Sequence, residues 1–311
     1  MNERGIYMND IIIIGAGAAG LSAAIYAQRS GMNALVLEGN TYGGQIINTA
    51  DIENYPGIAH ISGFEFATNL YKQAIALGAK VQYEKVVAVE IDAEDKIIKT
   101  NKNIYRTKAL IVASGLIRRK LGLADEERLT GHGVGYCATC DGAFFRHQVV
   151  AVNGGGNVAL EDAQYLANLC SKVYLIHRRH EFRANQAEIN RVLAKSNIEC
   201  VYDSVVTKLN GAERLTSIEV TNKKQEKRIL EVAALFVAIG QIPVNEIMKD
   251  IIDLDTNGYI ISDERGITSQ KGIFAAGDCR VKELRQLTTA AADGANAATS
   301  AYEYLQSLKK S

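Results

Sequence analysis

Two stretches of this chain of 311 residues repeat one pattern in one register, and that repeat narrows the possible folds more than any other feature. In the first, the β-branched run Asp10-Ile11-Ile12-Ile13-Ile14 leads into Gly15-Ala16-Gly17-Ala18-Ala19-Gly20. A helix-forming stretch (21–29) and a second apolar run (34–37) follow, ending at Glu38. In the second, Gln148-Val149-Val150-Ala151-Val152 leads into Gly154-Gly155-Gly156-Asn157-Val158-Ala159, a helical stretch (160–169) and an apolar run (172–176), ending at His177. Gly15 to Glu38 and Gly154 to His177 are both 23 positions. Strand, glycine loop, helix and strand make a βαβ unit. Its glycines allow a tight turn, close approach of backbone N–H groups to a pyrophosphate, and packing of helix on strand. The repeat therefore predicts two dinucleotide sites on two parallel sheets.

The two units differ where the second strand ends. Glu38 stands where an acid accepts hydrogen bonds from ribose hydroxyls; its counterpart is His177-Arg178-Arg179. Arginines there favour a 2′-phosphate by charge and bidentate hydrogen bonding, with Arg183 as a further contributor. The same residues also read as a solvated basic turn. Between the units lies Cys137-Ala138-Thr139-Cys140-Asp141. Two thiols at this spacing can close into a small disulfide and reopen, and a helix N-terminus would stabilise the thiolate. The spacing also fits half of a zinc site. A second pair is then needed, and Cys170, Cys200 and Cys279 are scattered singly, so no metal is expected. Position alone leaves Asp141 as either a general acid–base or a helix-terminal charge. It leaves Phe144 and Phe145 as either core or docking surface.

Length allows about two domains. Lys+Arg and Asp+Glu balance at 35 each without a run of like charge, so neither nucleic acid nor an anionic membrane is expected as a partner. Five cysteines suit a reducing cytoplasm better than a secreted disulfide framework. The apolar stretch 11–27 is broken by Gly15, Gly17 and Gly20, which argues against a signal peptide or a membrane span. Met1 to Met8 reads as a short leader. Tyr42-Gly43-Gly44-Gln45 and Glu53-Asn54-Tyr55-Pro56-Gly57 are turns or ligand loops. Further along come a helix at 64–77, a meander at 81–91, 97–100 and 104–107, and a strand at 109–113 that stops at Ser114-Gly115. The second unit adds its own meander strands (215–221 and 227–230) and a strand at 233–238 ending at Ile239-Gly240. The tail holds strands at 259–261 and 272–276, then Gly277-Asp278 and an Ala-rich helix at 288–308. It lacks a glycine fingerprint, so it completes the first domain. The expected fold is α/β: two Rossmann-like dinucleotide-binding domains, each with a β-meander. The second (117–245) is inserted into the first (1–116 and 246–311).

These motifs, with Phe182-Arg183-Ala184, Ala276-Gly277-Asp278 and Arg285-Gln286, make the chain similar over essentially its whole length to low-molecular-weight bacterial thioredoxin reductases. The resemblance implies FAD in the first site, NADPH in the second, a thioredoxin partner and a homodimer. It places Gly15, Gly17, Ala18, Ala19, Gly20, Glu38, Gly43, Gly44, Gln45, Asn54, Gly115, Gly277, Asp278, Arg285 and Gln286 around FAD. It places Gly154, Gly156, Asn157, Val158, His177, Arg178, Arg179, Arg183 and Gly240 around NADPH. Cys140 would face the flavin and Cys137 the partner, and Asp141 becomes a proton-transfer group. The chain departs from the family pattern at Ser114, Asn153 and Cys279. NADPH and the cysteine pair must each reach one flavin, so hinges are expected near 115–122 and 240–245. Two other readings stay open: a related flavin-dependent dithiol/disulfide oxidoreductase with a different substrate, and a low-turnover dinucleotide-binding redox sensor.

Overall fold

Strand β1 (Tyr7–Ile14) is buried on both faces, which is why its isoleucines run consecutively instead of alternating with polar residues. Ile11 and Ile13 face one core and Ile12 and Ile14 the other. Each contributes about 1.5–3 kcal/mol by burial. The structure is a computed structural model that describes residues 7–49 and 52–309. Tyr7 and Met8 thus open β1 instead of belonging to a leader, and residues 1–6 of that leader lie outside the described residues. Two compact units emerge: Met1–Ile117 with Ile242–Ser311, and Arg118–Gln241.

In the first unit, β1 is followed by helix α1 (Ala18–Arg29), β2 (Ala34–Glu38), α2 (Gly63–Ala76), β3 (Lys80–Tyr83), β4 (Val86–Asp92), β5 (Asp95–Thr100) and β6 (Ile104–Val112). The sheet order is β3-β2-β1-β6-β5-β4. The run expected as one meander strand at 81–91 is two strands. β3 joins the parallel sheet beside β2, and β4 pairs antiparallel with β5. The break falls at Glu84, a buried carboxylate that accepts hydrogen bonds from Thr100 (2.6 Å), Asn103 (2.8 Å) and Tyr105 (3.0 Å). Burial alone would raise this carboxyl; the three hydrogen bonds and Lys102 outweigh it and hold it below its usual range. The segments expected at 104–107 and 109–113 are one strand, β6. It is antiparallel to β5 in its first half and parallel to β1 throughout.

The second unit contains β7 (Leu116–Arg118, which straddles the boundary), α3 (Glu126–Leu129), β8 (Val134–Gly135), α4 (Ala138–Asp141), β9 (Val149–Gly154), α5 (Asn157–Ala167), β10 (Lys172–Ile176), α6 (Gln186–Leu193), β11 (Ile198–Val201), β12 (Ser204–Asn210), β13 (Ser217–Asn222), β14 (Lys227–Glu231), β15 (Ala234–Ala238) and the start of β16 (Gln241–Pro243, which straddles the other boundary). Its parallel sheet runs β11-β10-β9-β15-β8, and β12-β13-β14 form the antiparallel meander. One core lies between the sheet and α5, and another lies under the meander. The sequence reading did not include α6, β11 or β12. The chain leaves and returns through β7 and β16, which pair with each other.

Back in the first unit, β17 (Ile273–Ala275) pairs parallel with β6, so the tail does complete the first sheet. The expected strand at 259–261 reduces to bridge pairing at Ile260, with Leu254 and Arg280. Helix α7 (Leu287–Leu308) lies on α1 so closely that a Cβ at Gly294 would stand 2.1 Å from the Ala19 carbonyl oxygen.

Candidate functional site

The first glycine loop is built by steric necessity. A Cβ at Gly20 would stand 1.8 Å from the Gly15 carbonyl oxygen, and one at Gly15 (φ +102°) 2.3 Å from that of Ala113. Gly17 ends the loop as N-cap of α1 with no side-chain cap, leaving first-turn N–H groups available to an anion. Gly43 and Gly44 close over it. The Gly43 N–H donates to the Ala16 carbonyl (2.7 Å), and a Cβ at Gly44 would be 3.2 Å from the Gly17 Cα. Glu38 ties the loop to its strand, accepting from the Ala16 N–H and the Asn40 N–H, both at 2.8 Å. Gln45 donates to the Leu116 carbonyl, which holds the second loop to the start of β7 near Gly115.

The tail supplies the rest of this site. Asp278 has a buried Oδ1 with no hydrogen-bond partner among the described residues; burial raises its carboxyl, against the pull of Lys282 and Arg285. Its neighbour Gly277 would, with a Cβ, come within 2.8 Å of the Ala19 Cβ on α1. A buried acceptor without a partner beside a glycine loop is what a ligand hydroxyl would complete. The residues therefore fit FAD. Arg285 lies over the Tyr259 ring (4.3 Å) and donates to the carbonyls of Asp278 and Arg280 (both 3.5 Å). Gln286 caps α7 reciprocally with Thr289 and accepts from Asn54 at 3.1 Å. Two positions that the sequence reading missed, Asn245 and Asp293, hold this corner together beside Cys279. Asn245, 1% exposed, accepts from Ser114 (2.9 Å) and donates to the carbonyls of Gly258 (2.9 Å) and Cys279 (2.8 Å). Asp293 accepts from the Gly277 N–H (3.0 Å) and from Lys282 (2.8 Å). Cys279 is fully buried with its thiol against the carbonyls of Val112 and Ala276, and burial pushes the thiol up.

In the second loop, Gly154 faces the Ala238 carbonyl oxygen, 2.3 Å from where a Cβ would sit, and Gly156 caps α5 without a side-chain bond. Asn157 accepts from the Asn185 N–H (2.9 Å), and Val158 is 63% exposed. His177 sits behind the loop, not on its open face. Its buried ring fills the space a Gly155 Cβ would need (2.1 Å to Nδ1), and its Nε2 is 3.0 Å from the Glu181 carbonyl. Burial holds this imidazole below its usual range. Arg178, Arg179 and Arg183 are all exposed, and among the described residues none has an ion-pair partner. The backbone of Arg183 donates to the Gly155 carbonyl (2.6 Å). At the far edge Gly240, at φ +104°, accepts from the Arg119 N–H (3.0 Å). The loop, the bare helix terminus and the three guanidiniums fit a 2′-phosphorylated nucleotide.

The same unit carries the cysteines. Cys137 is disulfide-bonded, Cys170, Cys200 and Cys279 are free, and the Cys140 side chain lies outside the described residues. The expected helix is a single turn, α4, followed by a 3-10 turn (Gly142–Phe145). Ala138, fully buried, anchors α4 in the core of the unit. Asp141 ends α4, where it is the acidic residue of that single turn, and makes no side-chain cap bond to the 3-10 turn that follows. A Cβ at Gly135 would come within 3.3 Å of both the Asp141 Oδ2 and the Phe236 ring, so the carboxyl and the ring share the space above Gly135. Burial there raises the Asp141 carboxyl, opposed by Arg118. Phe144 is 73% exposed, whereas Phe145 packs edge-on against Phe236. Among the described residues no three His, Cys, Asp or Glu side chains cluster as metal ligands.

Residues 9–294 match the family described as pyridine nucleotide-disulphide oxidoreductase. This chain belongs to that family. It is an oxidoreductase that works with FAD and NADPH. The thioredoxin reductase of Treponema pallidum (strain Nichols) is 42% identical over 96% of this chain and 98% of its own. Among solved structures, the Streptococcus pyogenes MGAS5005 thioredoxin reductase aligns with TM-score 0.81 at 41% identity, over 96% of this chain and 99% of that one. The Lactococcus lactis enzyme in its FR conformation gives TM-score 0.77 at 40% identity, with the same coverage.

Proposed function

We propose that the chain is a thioredoxin-disulfide reductase, a cytoplasmic homodimer that opens the disulfide of thioredoxin with electrons from NADPH. The observation that carries this reading is the disulfide-bonded Cys137, followed at Asp141 by a part-buried carboxyl, in the unit that also holds the arginine-lined glycine loop. The loop from Gly154, the N-terminus of α5 and Arg178, Arg179 and Arg183 bind and orient the nucleotide; His177 props the loop from behind. The loop from Gly15, Glu38, Gly43 to Gln45, Asn54, Asp278 and Gln286 hold FAD, which when bound supplies the two-electron relay to the cysteine pair.

The pair, Cys137 with Cys140, exchanges with the substrate. A thiolate at Cys137 attacks the thioredoxin disulfide, a mixed disulfide forms, and Cys140 displaces the reduced partner. Asp141 holds the proton that a cysteine gains or loses in that exchange, and its burial keeps the carboxyl protonated closer to neutral pH than a solvated one. Phe144, exposed beside the pair, offers the partner an apolar contact. The three free thiols fit a reducing compartment, and the homodimer follows from the resemblance. The test is NADPH-dependent thioredoxin reduction by the wild type, Cys137→Ser and Cys140→Ser. Both variants should lose activity while retaining yellow flavin; activity in either removes the dithiol route.

A further inference from the structure

The segment that carries Arg178, Arg179 and Arg183 runs between β10 and α6 with no helix or strand of its own. Such a segment keeps one shape only through bonds to its neighbours. Its ends are fastened by backbone: the Ser204 N–H donates to the His177 carbonyl (3.0 Å), and the Arg183 N–H to that of Gly155 (2.6 Å). Its middle is fastened by Asp203, in the turn between β11 and β12. The Asp203 N–H donates to the Arg179 carbonyl (3.3 Å), and the Asp203 carboxylate accepts from His180 Nδ1 (3.3 Å). Beside it the Tyr202 ring lies 5.1 Å from that of Phe182 and 5.9 Å from that of His180, centroid to centroid. The rings of the segment thus pack on Tyr202, while its three arginines stay exposed.

Asp203 does this from an uncommon backbone conformation, φ +51°, which aspartate tolerates better than most residues. Lys223, between β13 and β14, holds it there twice. Its N–H donates to the Asp203 carbonyl (3.0 Å), and its ammonium pairs with the Asp203 carboxylate. An ion pair with so exposed a lysine adds little to stability, so its effect is one of placement. It is also one of charge. A bare carboxylate beside the arginines would oppose a phosphate, and Lys223 offsets it. We propose that Asp203, held by Lys223, is a positioning residue of the NADPH site: it fixes the arginine segment in the shape that tells NADPH from NADH. This rests on the reading of the arginines as holders of the 2′-phosphate. NADH lacks that phosphate, so a fault in the segment's shape weakens NADPH and spares NADH. A role in the packing of β11 and β12 alone would touch both nucleotides alike.

The experiment uses the FAD-loaded enzyme in anaerobic stopped flow, following the loss of yellow flavin absorbance on mixing with excess NADPH or NADH. Each nucleotide gives a half-saturating concentration and a limiting rate. The proteins are wild type, Asp203→Gly, Asp203→Asn and the double variant Arg178→Ala with Arg179→Ala. Glycine keeps the left-handed backbone and deletes the carboxylate, whereas asparagine keeps both that backbone and an acceptor oxygen. Asp203→Gly should raise the half-saturating NADPH concentration about fivefold, the loss of one such hydrogen bond, with the limiting rate and the NADH curve unmoved. Asp203→Asn should stay within about twofold of wild type for NADPH, because the acceptor survives. An unchanged NADPH curve in Asp203→Gly overturns the proposal. So does equal weakening of NADPH and NADH, and so does an Asp203→Asn variant no better than Asp203→Gly. A double arginine variant that keeps the wild-type preference for NADPH would instead sink the reading of the arginines themselves. Thioredoxin is absent from the assay, so the identity of the substrate does not enter.

Discussion

A carboxyl beside a dithiol is useful only where its proton is worth holding, and Asp141 gains that from its position above Gly135 and against Phe236. Replacing it by Asn keeps shape and burial but removes the proton. Turnover of Asp141→Asn with thioredoxin should fall about 100-fold at pH 7 with the flavin spectrum unchanged; a change of less than about threefold would leave Asp141 a structural role only. Cys279 makes the opposite case. Its thiol is buried, pushed up and turned onto backbone carbonyls, so it should stay unalkylated in the folded enzyme while the reduced pair reacts. Both residues were legible in the chain as candidates, because a carboxylate after C-x-x-C and an extra thiol after Gly277-Asp278 stand out. Which of Phe144 and Phe145 faces out was not legible, since both fit a helical core; contact with Phe236 from β15 decides it.

At the level of elements, the glycine loops were readable because their constraint is steric and local. Gly155 is a sharp example: its missing Cβ is the space His177 occupies. Gly155→Ala should raise KM for NADPH by at least about tenfold while leaving FAD bound, measured by steady-state kinetics beside the flavin spectrum. Arg178 and Arg179 are exposed and carry no ion pair among the described residues, so removing them should not unfold the loop. The double change to Ala should reduce kcat/KM for NADPH at least about 100-fold and barely alter that for NADH, from roughly 1.5–3 kcal/mol per lost charged hydrogen bond. Helix α5 carries a pH-dependent strain at Asp162. A carboxyl raised on folding stabilises the fold fully only below its unfolded ionisation, and that contribution is lost as pH rises from about 4 through 7. The melting temperature of Asp162→Asn relative to wild type should therefore be higher at pH 8 than at pH 5. This strain was invisible in the chain because its main cause is burial, which only the packed fold imposes on Asp162. The split of 81–91 into β3 and β4 was hidden for the same reason. Glu84 looks like an ordinary polar residue until Thr100, Asn103 and Tyr105 are brought around it.

For the whole molecule, the inserted second unit was legible from what the tail lacks, a glycine fingerprint of its own. The return of β17 to β6 follows from the first sheet being unfinished without it. The knot that secures that return was not legible: Asn245 bonds residues from three separate stretches, and its neighbours in sequence give no sign of it. Lys96 does similar work. It is 1% exposed, donates to the carbonyls of Glu94 and Lys108 (both 2.9 Å), and lies 5.3 Å from the Tyr304 ring of α7. In the proposed reaction, electrons from NADPH leave this molecule through Cys137 and Cys140 into a protein disulfide. The direct measurement is anaerobic stoichiometry: thioredoxin thiols formed per NADPH oxidised, by wild type and by each Cys→Ser variant with flavin bound. One thioredoxin disulfide opened per NADPH by wild type, and none by either variant, is the expected result. NADPH oxidised without thioredoxin thiols, or thiols produced by Cys137→Ser or Cys140→Ser, would contradict it.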